Sequence, residues 1–226
     1  KRDPDAVMLA TPADHLILDE ELFEKTLAHI LDHVEAHDVL MTLGITPTSP
    51  DVSYGYIQVS GGKVTATADK PFKVKTFTEK PDQTLAEVFC KSGEFYWNSG
   101  IFAWKASVIR EEMEKHIPEI TSLFGGWEEA LETPEEIPFL EKVYSDCPKI
   151  SIDYGVMEKT DRAWLYPGHF GWTDIGSWRG LFKIFPDKDQ NGNAVNAGWT
   201  LLRDDKDNLI YSRDRNKLIA VKGLKG

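Results

Sequence analysis

The sequence predicts an α/β fold that is followed by a small β-rich segment at its carboxyl end. The almost wholly apolar run AVMLAT (6–11) is typical of a strand buried on both faces. Apolar side chains then recur at helical spacing between Phe23 and Val34, which predicts an amphipathic helix. A second apolar run, DVLMTLG (38–44), predicts another buried strand. This succession of strand, helix and strand indicates a parallel crossover unit.

The middle of the chain continues the alternation of strands and helices. β-Branched or alternating runs predict a meander of strands in YGYIQVS (54–60), KVTATA (63–68) and KVKTFTEKP (73–81). We further predict helices near 84–91 and 105–116, buried strands at 101–104 and 163–167, and a helical insertion in the acidic stretch 120–145.

The composition changes at PDKDQNGN (186–193), which is rich in turn residues. Short strands are predicted after it, in NLIYS and KLIAV. We therefore expect one domain at residues 1–185, and a linker with the start of a β-rich domain at residues 186–226.

Composition excludes several classes of protein. The 226 residues carry a formal net charge of −11, which disfavours wrapping a nucleic acid backbone. Cys90 and Cys147 show no CxxC spacing, so neither a disulfide framework nor a thiolate zinc site is predicted, and a reducing cytoplasm is expected. No apolar run reaches the roughly 18 residues that a membrane span needs, and KRDPDAV lacks the apolar core of a signal peptide.

Two aspartates follow predicted strands in unusual surroundings. Asp14 lies in TPADH (11–15), just past the first buried strand, where open α/β sheets bind their ligands. Asp174 lies in GWTDIGSW (171–178), between two indoles and between two glycines. Two converging carboxylates repel each other unless a cation lies between them, and Mg²⁺ takes oxygen ligands of this kind. The pair is our candidate metal site, and the alternative for each acid is a helix or turn cap.

The stretch TEKP (78–81) places a carboxylate beside an ammonium group. Pro81 favours an extended backbone at Lys80, so Glu79 and Lys80 are predicted to point to opposite sides and to serve different partners. The acid suits sugar hydroxyls, and the lysine suits a phosphate. The alternative is a solvated charged turn.

Asn98 lies inside the aromatic and aliphatic run GEFYWNSGIFAW (93–104). A buried amide needs hydrogen-bond partners, so Asn98 is either tied to the backbone or offered to a ligand. His15 and His169, together with the two aspartates, are an alternative transition-metal site.

Six segments together resemble mannose-1-phosphate guanylyltransferases of the sugar-phosphate nucleotidylyltransferase family: TPADH, YGYI, TEKPD, EFYWNSGIFAW, SIDYGVMEKT and GWTDIGSW. Their order and approximate spacing match this family over nearly the whole chain. The resemblance implies a Rossmann-like mixed, mostly parallel sheet with the start of a small β-rich C-terminal domain. It also implies Mg²⁺-dependent transfer of GMP from GTP to mannose 1-phosphate, with loss of pyrophosphate.

The resemblance also implies roles for individual residues. Asp14 and Asp174 hold the catalytic Mg²⁺, and Lys80 completes the catalytic set by meeting the sugar phosphate. The other substrate contacts are the backbone at Gly55, Glu79 on the sugar hydroxyls and Asn98 on the mannose. The segment SIDYGVMEKT is a family marker to which we assign no contacts.

The chain departs from the family at both ends. The glycine-rich GGxGxRxxP loop that opens these enzymes is not in the sequence, and the family continues beyond AVKGLKG into a β-helix-like domain. We therefore expect the chain to be a fragment of a longer protein, and we expect a homodimer. Three alternatives stay open: a different base or hexose phosphate, a non-catalytic regulatory homologue that binds sugar nucleotides, and a metal-dependent hydrolase.

Overall fold

The computed structural model describes residues 3–61 and 69–226. These residues form two compact units. The first unit contains residues 3–12 with Asp19–Phe170, and the second contains Ala13–Leu18 with Gly171–Gly226. The predicted strand KVTATA (63–68) lies outside the described residues. The division into domains at 1–185 and 186–226 stays a prediction, because these units are defined by contacts within the chain and not by independent folding.

The described residues alternate between strands and helices. The strands are β1 (Val7–Ala10), β2 (His15–Ile17), β3 (Leu40–Ile45), β4 (Tyr56–Val59), β5 (Phe72–Thr78), β6 (Phe95–Lys105), β7 (Ala163–Gly168), β8 (Trp172–Asp174), β9 (Ala194–Asn196), β10 (Trp199–Arg203), β11 (Leu209–Tyr211) and β12 (Leu218–Lys222). The helices are α1 (Glu20–Ala36), α2 (Gln83–Ser92), α3 (Ala106–His116), α4 (Pro118–Thr121), α5 (Trp127–Ala130), α6 (Glu136–Asp146) and α7 (Trp178–Ile184), with a π-helix at Asp153–Met157.

A six-stranded mixed sheet in the order β1, β6, β3, β7, β5, β4 forms the centre of the first unit. Strands β3 and β7 pair in parallel, and the other pairings in this sheet are antiparallel. These pairings make β1, β3, β4 and β7 run in one direction and β5 and β6 in the other. The predicted α/β class with a mixed sheet is confirmed. The predicted crossover from β1 through α1 to β3 is also parallel, with β6 lying between the two strands.

The first strand differs from its prediction. Its apolar sequence predicts burial on both faces, yet Met8 and Leu9 are 46% and 41% exposed. The reason is its place in the sheet, because among the described residues β1 is an edge strand and pairs with β6 alone. By contrast, β3 lies between β6 and β7, and all six of its residues are buried as predicted.

Strand β6 serves two parts of the sheet. Its first residues pair with β4, and its last residues pair with β1. Between these parts Gly100 has φ of 73°, a left-handed conformation that favours glycine, and the register with β3 shifts between Thr42 and Gly44. This irregularity lies beside Asn98, so it fixes where that side chain stands.

The helices begin and end where local chemistry dictates. The Asp19 carboxylate accepts a hydrogen bond from the Leu22 N–H and caps α1, while Asp82 caps α2 in the same way. The predicted helical insertion at 120–145 is confirmed as α4, α5, α6 and a short 3₁₀ turn.

Among the described residues, no helix is both long enough and apolar enough to cross a membrane.

Strands dominate the second unit, as predicted for its carboxyl end. β2 and β8 form an antiparallel ribbon, while β9 pairs with β11 and β10 with β12 in parallel. The buried Asn193 side chain joins the turns between these strands, because its Oδ1 accepts from the N–H of Asn208 at 3.0 Å and its Nδ2 donates to the Asp205 carbonyl at 3.2 Å. The predicted strands in NLIYS and KLIAV are β11 and β12.

Close packing at Gly44 gives a test of the sheet. A Cβ added there would lie 2.5 Å from Cδ1 of the fully buried Leu165, so we expect Gly44→Ala to lower the free energy of unfolding by about 1–3 kcal/mol. Chemical denaturation measures this, with Lys75→Ala on the exposed side of β5 as a control that shifts stability by less than about 0.5 kcal/mol. A Gly44→Ala variant as stable as the wild type would contradict the packing.

Candidate active site

Asp14 and Asp174 lie together on the antiparallel ribbon of the second unit. β2 pairs with β8 so that His15 stands opposite Asp174, and Asp14 directly precedes β2. One carboxylate oxygen of each aspartate and one ring nitrogen of His15 all lie within 4.8 Å of one another. The structure therefore brings together the two acids that the sequence predicts as metal ligands.

The loop after β8 turns both carboxylates toward one small space. The Gly176 N–H donates a hydrogen bond to Oδ1 of Asp174 at 2.7 Å, and the Ile175 N–H donates to the Asp14 carbonyl at 3.1 Å. A Cβ on Gly176 would overlap Oδ2 of Asp14 and would lie 3.1 Å from Oδ1 of Asp174. Only glycine leaves this space open.

Neither aspartate caps a helix. The cap of α7 is Ser177, whose Oγ accepts from the Gly180 N–H at 3.0 Å, and the cap of α1 is Asp19. The helix-cap alternative is therefore wrong for both acids, while Asp174 does cap the turn that follows it, through the hydrogen bond from the Gly176 N–H. Two carboxylates that share a space repel each other, and oxygen donors are the ligands that a hard divalent cation prefers. The donor set and the space beside Gly176 fit such a cation.

His15 is held by its neighbour Trp172. The indole Nε1–H donates a hydrogen bond to Nδ1 of His15 at 3.0 Å, and the two rings meet edge to face. Burial lowers the pKa of His15, and the nearby carboxylates of Asp174 and Asp14 partly offset this effect. Within the described ranges, the group that could hold a metal contains Asp14, His15 and Asp174, and His169 is not a member of it.

The first unit brings together a second set of predicted residues. Gly55 precedes β4, Glu79 follows β5, and Asn98 lies on β6. The Asn98 N–H donates to the Gly55 carbonyl at 2.8 Å, and a Cβ on Gly55 would overlap Oε2 of Glu79. We call Gly55, Glu79, Lys80 and Asn98 the Glu79 cluster.

Lys80 does not adopt the predicted conformation. It has φ of 45°, and its Nζ lies 2.9 Å from Oε1 of Glu79, so the prediction that these side chains point apart is wrong. The Glu79 side chain is only 7% exposed, and a buried carboxylate is stabilised by a cationic partner. This ion pair outweighs the preference for an extended backbone that Pro81 imposes on Lys80. The hydrogen bond to Glu79 raises the pKa of Lys80.

The surroundings of Glu79 disfavour its ionised form. Burial raises its pKa, the acids Asp153 and Glu158 add to this effect, and Lys80 opposes it. Its Oε2 is buried, and no group in the described part of the chain forms a hydrogen bond with it. This oxygen is therefore an acceptor that a hydroxyl donor can use.

The Asn98 amide is tied to its neighbours. Its Oδ1 accepts hydrogen bonds from Oγ1 of Thr42 at 3.1 Å and from the Gly100 N–H at 3.2 Å. Its Nδ2 donates to Oδ1 of Asp153 at 2.9 Å. An amide nitrogen carries two hydrogens, so the same group that is held by Asp153 has a second donor to offer. Asn98 is thus tied to the backbone at Gly100, as one alternative predicts, and its offer to a ligand stays a prediction.

Sequence reasoning assigned no contacts to the two acids of SIDYGVMEKT. Asp153 orients Asn98, and Oε1 of Glu158 accepts from the Glu79 N–H at 3.1 Å. Asp153 also begins the π-helix, a form often found at functional sites. The unusual motif is a signal that could have marked them, but their partners lie 55 and 79 residues away along the chain.

The sequence of the whole chain is similar to those of known proteins. The sequence profile described as nucleotidyl transferase matches residues 1–191. A mannose-1-phosphate guanylyltransferase of Salmonella montevideo is 39% identical and covers 97% of this chain, while the alginate biosynthesis protein AlgA of Pseudomonas fluorescens is 36% identical over the same share. The chain spans 46% and 44% of their respective lengths, which is less than half of each.

A solved structure is similar over the same extent. The crystal structure described as mannose-1-phosphate geranyltransferase from Thermus thermophilus is 32% identical, with a TM-score of 0.76 over 97% of this chain and 61% of that chain. The family profile alone covers well over half of the sequence. The chain therefore belongs to the nucleotidyl transferase family.

Proposed function

We propose that this chain carries the catalytic part of an enzyme that transfers GMP from GTP to mannose 1-phosphate, producing GDP-mannose and pyrophosphate. The observation that carries the proposal is the convergence of Asp14 and Asp174 on the space beside Gly176. The guanylyltransferase that is 39% identical supports the choice of substrates.

Asp14 and Asp174 would hold Mg²⁺, as the oxygen-rich donor set favours. The cation would neutralise negative charge on the phosphates of the nucleotide. The chain's contribution is to orient the Asp174 carboxylate through the Gly176 N–H and to hold the backbone of Asp14 through the Ile175 N–H on its carbonyl. A preorganised pair of this kind costs no rearrangement when the substrate arrives.

The Glu79 cluster would bind the sugar phosphate. Oε2 of Glu79 accepts from a sugar hydroxyl, and the second N–H of Asn98 donates to another. The Lys80 side chain is 59% exposed, so its ammonium group can pair with a phosphate. Gly55 has no side chain to separate its backbone from the sugar.

The reaction needs no side-chain base. The nucleophile is an oxygen of the sugar phosphate, which is already ionised at neutral pH. It forms a bond to the α-phosphorus of GTP while the bond from that phosphorus to the bridging oxygen breaks, and pyrophosphate leaves with the electron pair. Catalysis therefore consists of positioning and charge neutralisation, for which Lys80 supplies a positive charge and the aspartates would supply the binding site of the cation.

A cytoplasmic location and a homodimer belong to the same proposal. Cys90 and Cys147 are both free thiols, which suits a reducing compartment. The apolar side chains of Trp199, Leu201 and Leu218 on β10 and β12 are more than 60% exposed, which suits self-association.

Replacing one carboxylate tests the metal site. We expect Asp174→Asn to lower the rate of pyrophosphate release from GTP and mannose 1-phosphate by about 100-fold or more, because one ionised ligand is lost. The amide oxygen still accepts from the Gly176 N–H, so the far-ultraviolet circular dichroism stays unchanged. Asp146→Asn, at the exposed end of α6, is the matched control that retains activity. Wild-type turnover in Asp174→Asn would refute the assignment.

Glu79→Gln tests the proposed role of Glu79 in sugar binding, through the KM for mannose 1-phosphate and through the pH dependence of stability. We expect a higher KM for mannose 1-phosphate, because a buried ionised acceptor is lost. The pKa of Glu79 is raised in the folded protein, so the stability that its protonated form contributes is complete below the unfolded pKa and is lost as the pH rises through the folded pKa. The stability of the wild type relative to Glu79→Gln should therefore fall as the pH rises from the ordinary glutamate range through the raised pKa of Glu79. An unchanged KM, or a relative stability that rises with pH, would count against the assignment.

A further inference from the structure

We propose that Trp172 keeps His15 out of the coordination sphere of the cation, so that Asp14 and Asp174 form a site that offers oxygen and not nitrogen. The consequence is selection of hard cations such as Mg²⁺ against Zn²⁺ and similar transition metals. The proposal rests on the proposed function for the cation site, and it adds a residue that determines which cation is accepted.

His15 is placed where a third ligand would stand. One of its ring nitrogens lies within 4.8 Å of an oxygen from each aspartate, so the group offers two carboxylates and an imidazole. Imidazole with carboxylate suits zinc and other transition metals, which bind nitrogen and oxygen donors more tightly than Mg²⁺ does. Without a further constraint, this arrangement would favour the wrong cation for phosphoryl chemistry.

The hydrogen bond from Trp172 keeps His15 from acting as a metal ligand. An indole N–H can only donate, so Nδ1 of His15 must be the unprotonated acceptor at 3.0 Å. A neutral imidazole with an unprotonated Nδ1 carries its proton on Nε2. One nitrogen has its lone pair occupied by the indole and the other carries hydrogen. Whichever nitrogen faces the aspartates, neither has a free lone pair for a cation.

The ribbon holds this arrangement in place. His15 is opposite Asp174 in the register of β2 and β8, and Trp172 lies two residues before Asp174 on the same face of β8. The diagonal neighbours His15 and Trp172 are within reach of each other, and their rings meet at 5.1 Å between centroids. Trp172 is only 9% exposed, so water does not compete freely for its N–H.

The histidine tautomer in the wild-type protein is the first test. Long-range ¹H–¹⁵N correlation spectra of ¹⁵N-histidine-labelled full-length protein report the tautomer of each of the six histidines of this chain, and His15→Asn assigns the resonance. We expect His15 to carry its proton on Nε2 and to keep its chemical shifts when Mg²⁺ or Zn²⁺ is added. A proton on Nδ1, or a direct shift of a His15 nitrogen on Zn²⁺ binding, would overturn the proposal.

Removing the indole donor is the second test. Trp172→Phe keeps an aromatic ring but frees the lone pair of Nδ1, and Trp178→Phe, on a 63% exposed indole of the same unit, is the matched control. In calorimetric titrations we expect Trp172→Phe to bind Zn²⁺ at least about tenfold more tightly than the wild type, with Mg²⁺ affinity changed by less than about twofold. The Trp172→Phe, His15→Asn double variant should lose the gain in Zn²⁺ affinity.

The outcomes separate this proposal from the proposed function. A gain in Zn²⁺ affinity that persists in the double variant, or no gain in folded Trp172→Phe, would overturn the role of Trp172 even if the wild type releases pyrophosphate. A full-length wild type that releases no pyrophosphate, yet shows the predicted tautomer and the predicted gain, would overturn the proposed reaction alone. If Trp172→Phe fails to fold, the wild-type spectra decide by themselves.

Discussion

The shared space beside Gly176 is the constraint on which the second unit depends. Two carboxylates are turned into it, and a side chain at that position would overlap one of them. The surroundings support this placement, because Ser177 takes over the capping of α7 and the absence of a side chain at Gly180 lets the helix approach the Asp174 carbonyl. Like charges this close together repel each other, and a bound cation would relieve that repulsion.

In the first unit, the surroundings of Glu79 likewise disfavour a negative charge. Its carboxylate is buried with two other acids nearby, and its ion pair with Lys80 holds that residue in a left-handed conformation. Such strain persists only where the surrounding structure over-determines it, here through the Glu158 contact and the network from Thr42 through Asn98 to Asp153. Each unit therefore gathers carboxylates from segments that are remote in sequence.

Local sequence was sufficient where local physics decides the structure. The spacing of apolar residues predicted α1 and β3, and the aspartate motifs predicted that Asp14 and Asp174 would converge. Prediction from local sequence failed where a contact with a distant residue determines the structure. The edge position of β1 depends on its pairing with β6, and the left-handed conformation of Lys80 depends on the burial of Glu79. The contacts of Asp153 and Glu158 were missed for the same reason, since both partners are remote in sequence.

The proposed reaction is tested most directly by pyrophosphate release from the full-length protein with Mg²⁺, measured for each pairing of a nucleotide with a sugar phosphate. GTP, ATP, UTP and dTTP are each combined with mannose 1-phosphate and with glucose 1-phosphate. We expect release from GTP with mannose 1-phosphate and little from the other pairs. The absence of pyrophosphate release from every pair would contradict the proposed reaction and would favour a non-catalytic protein that binds sugar nucleotides.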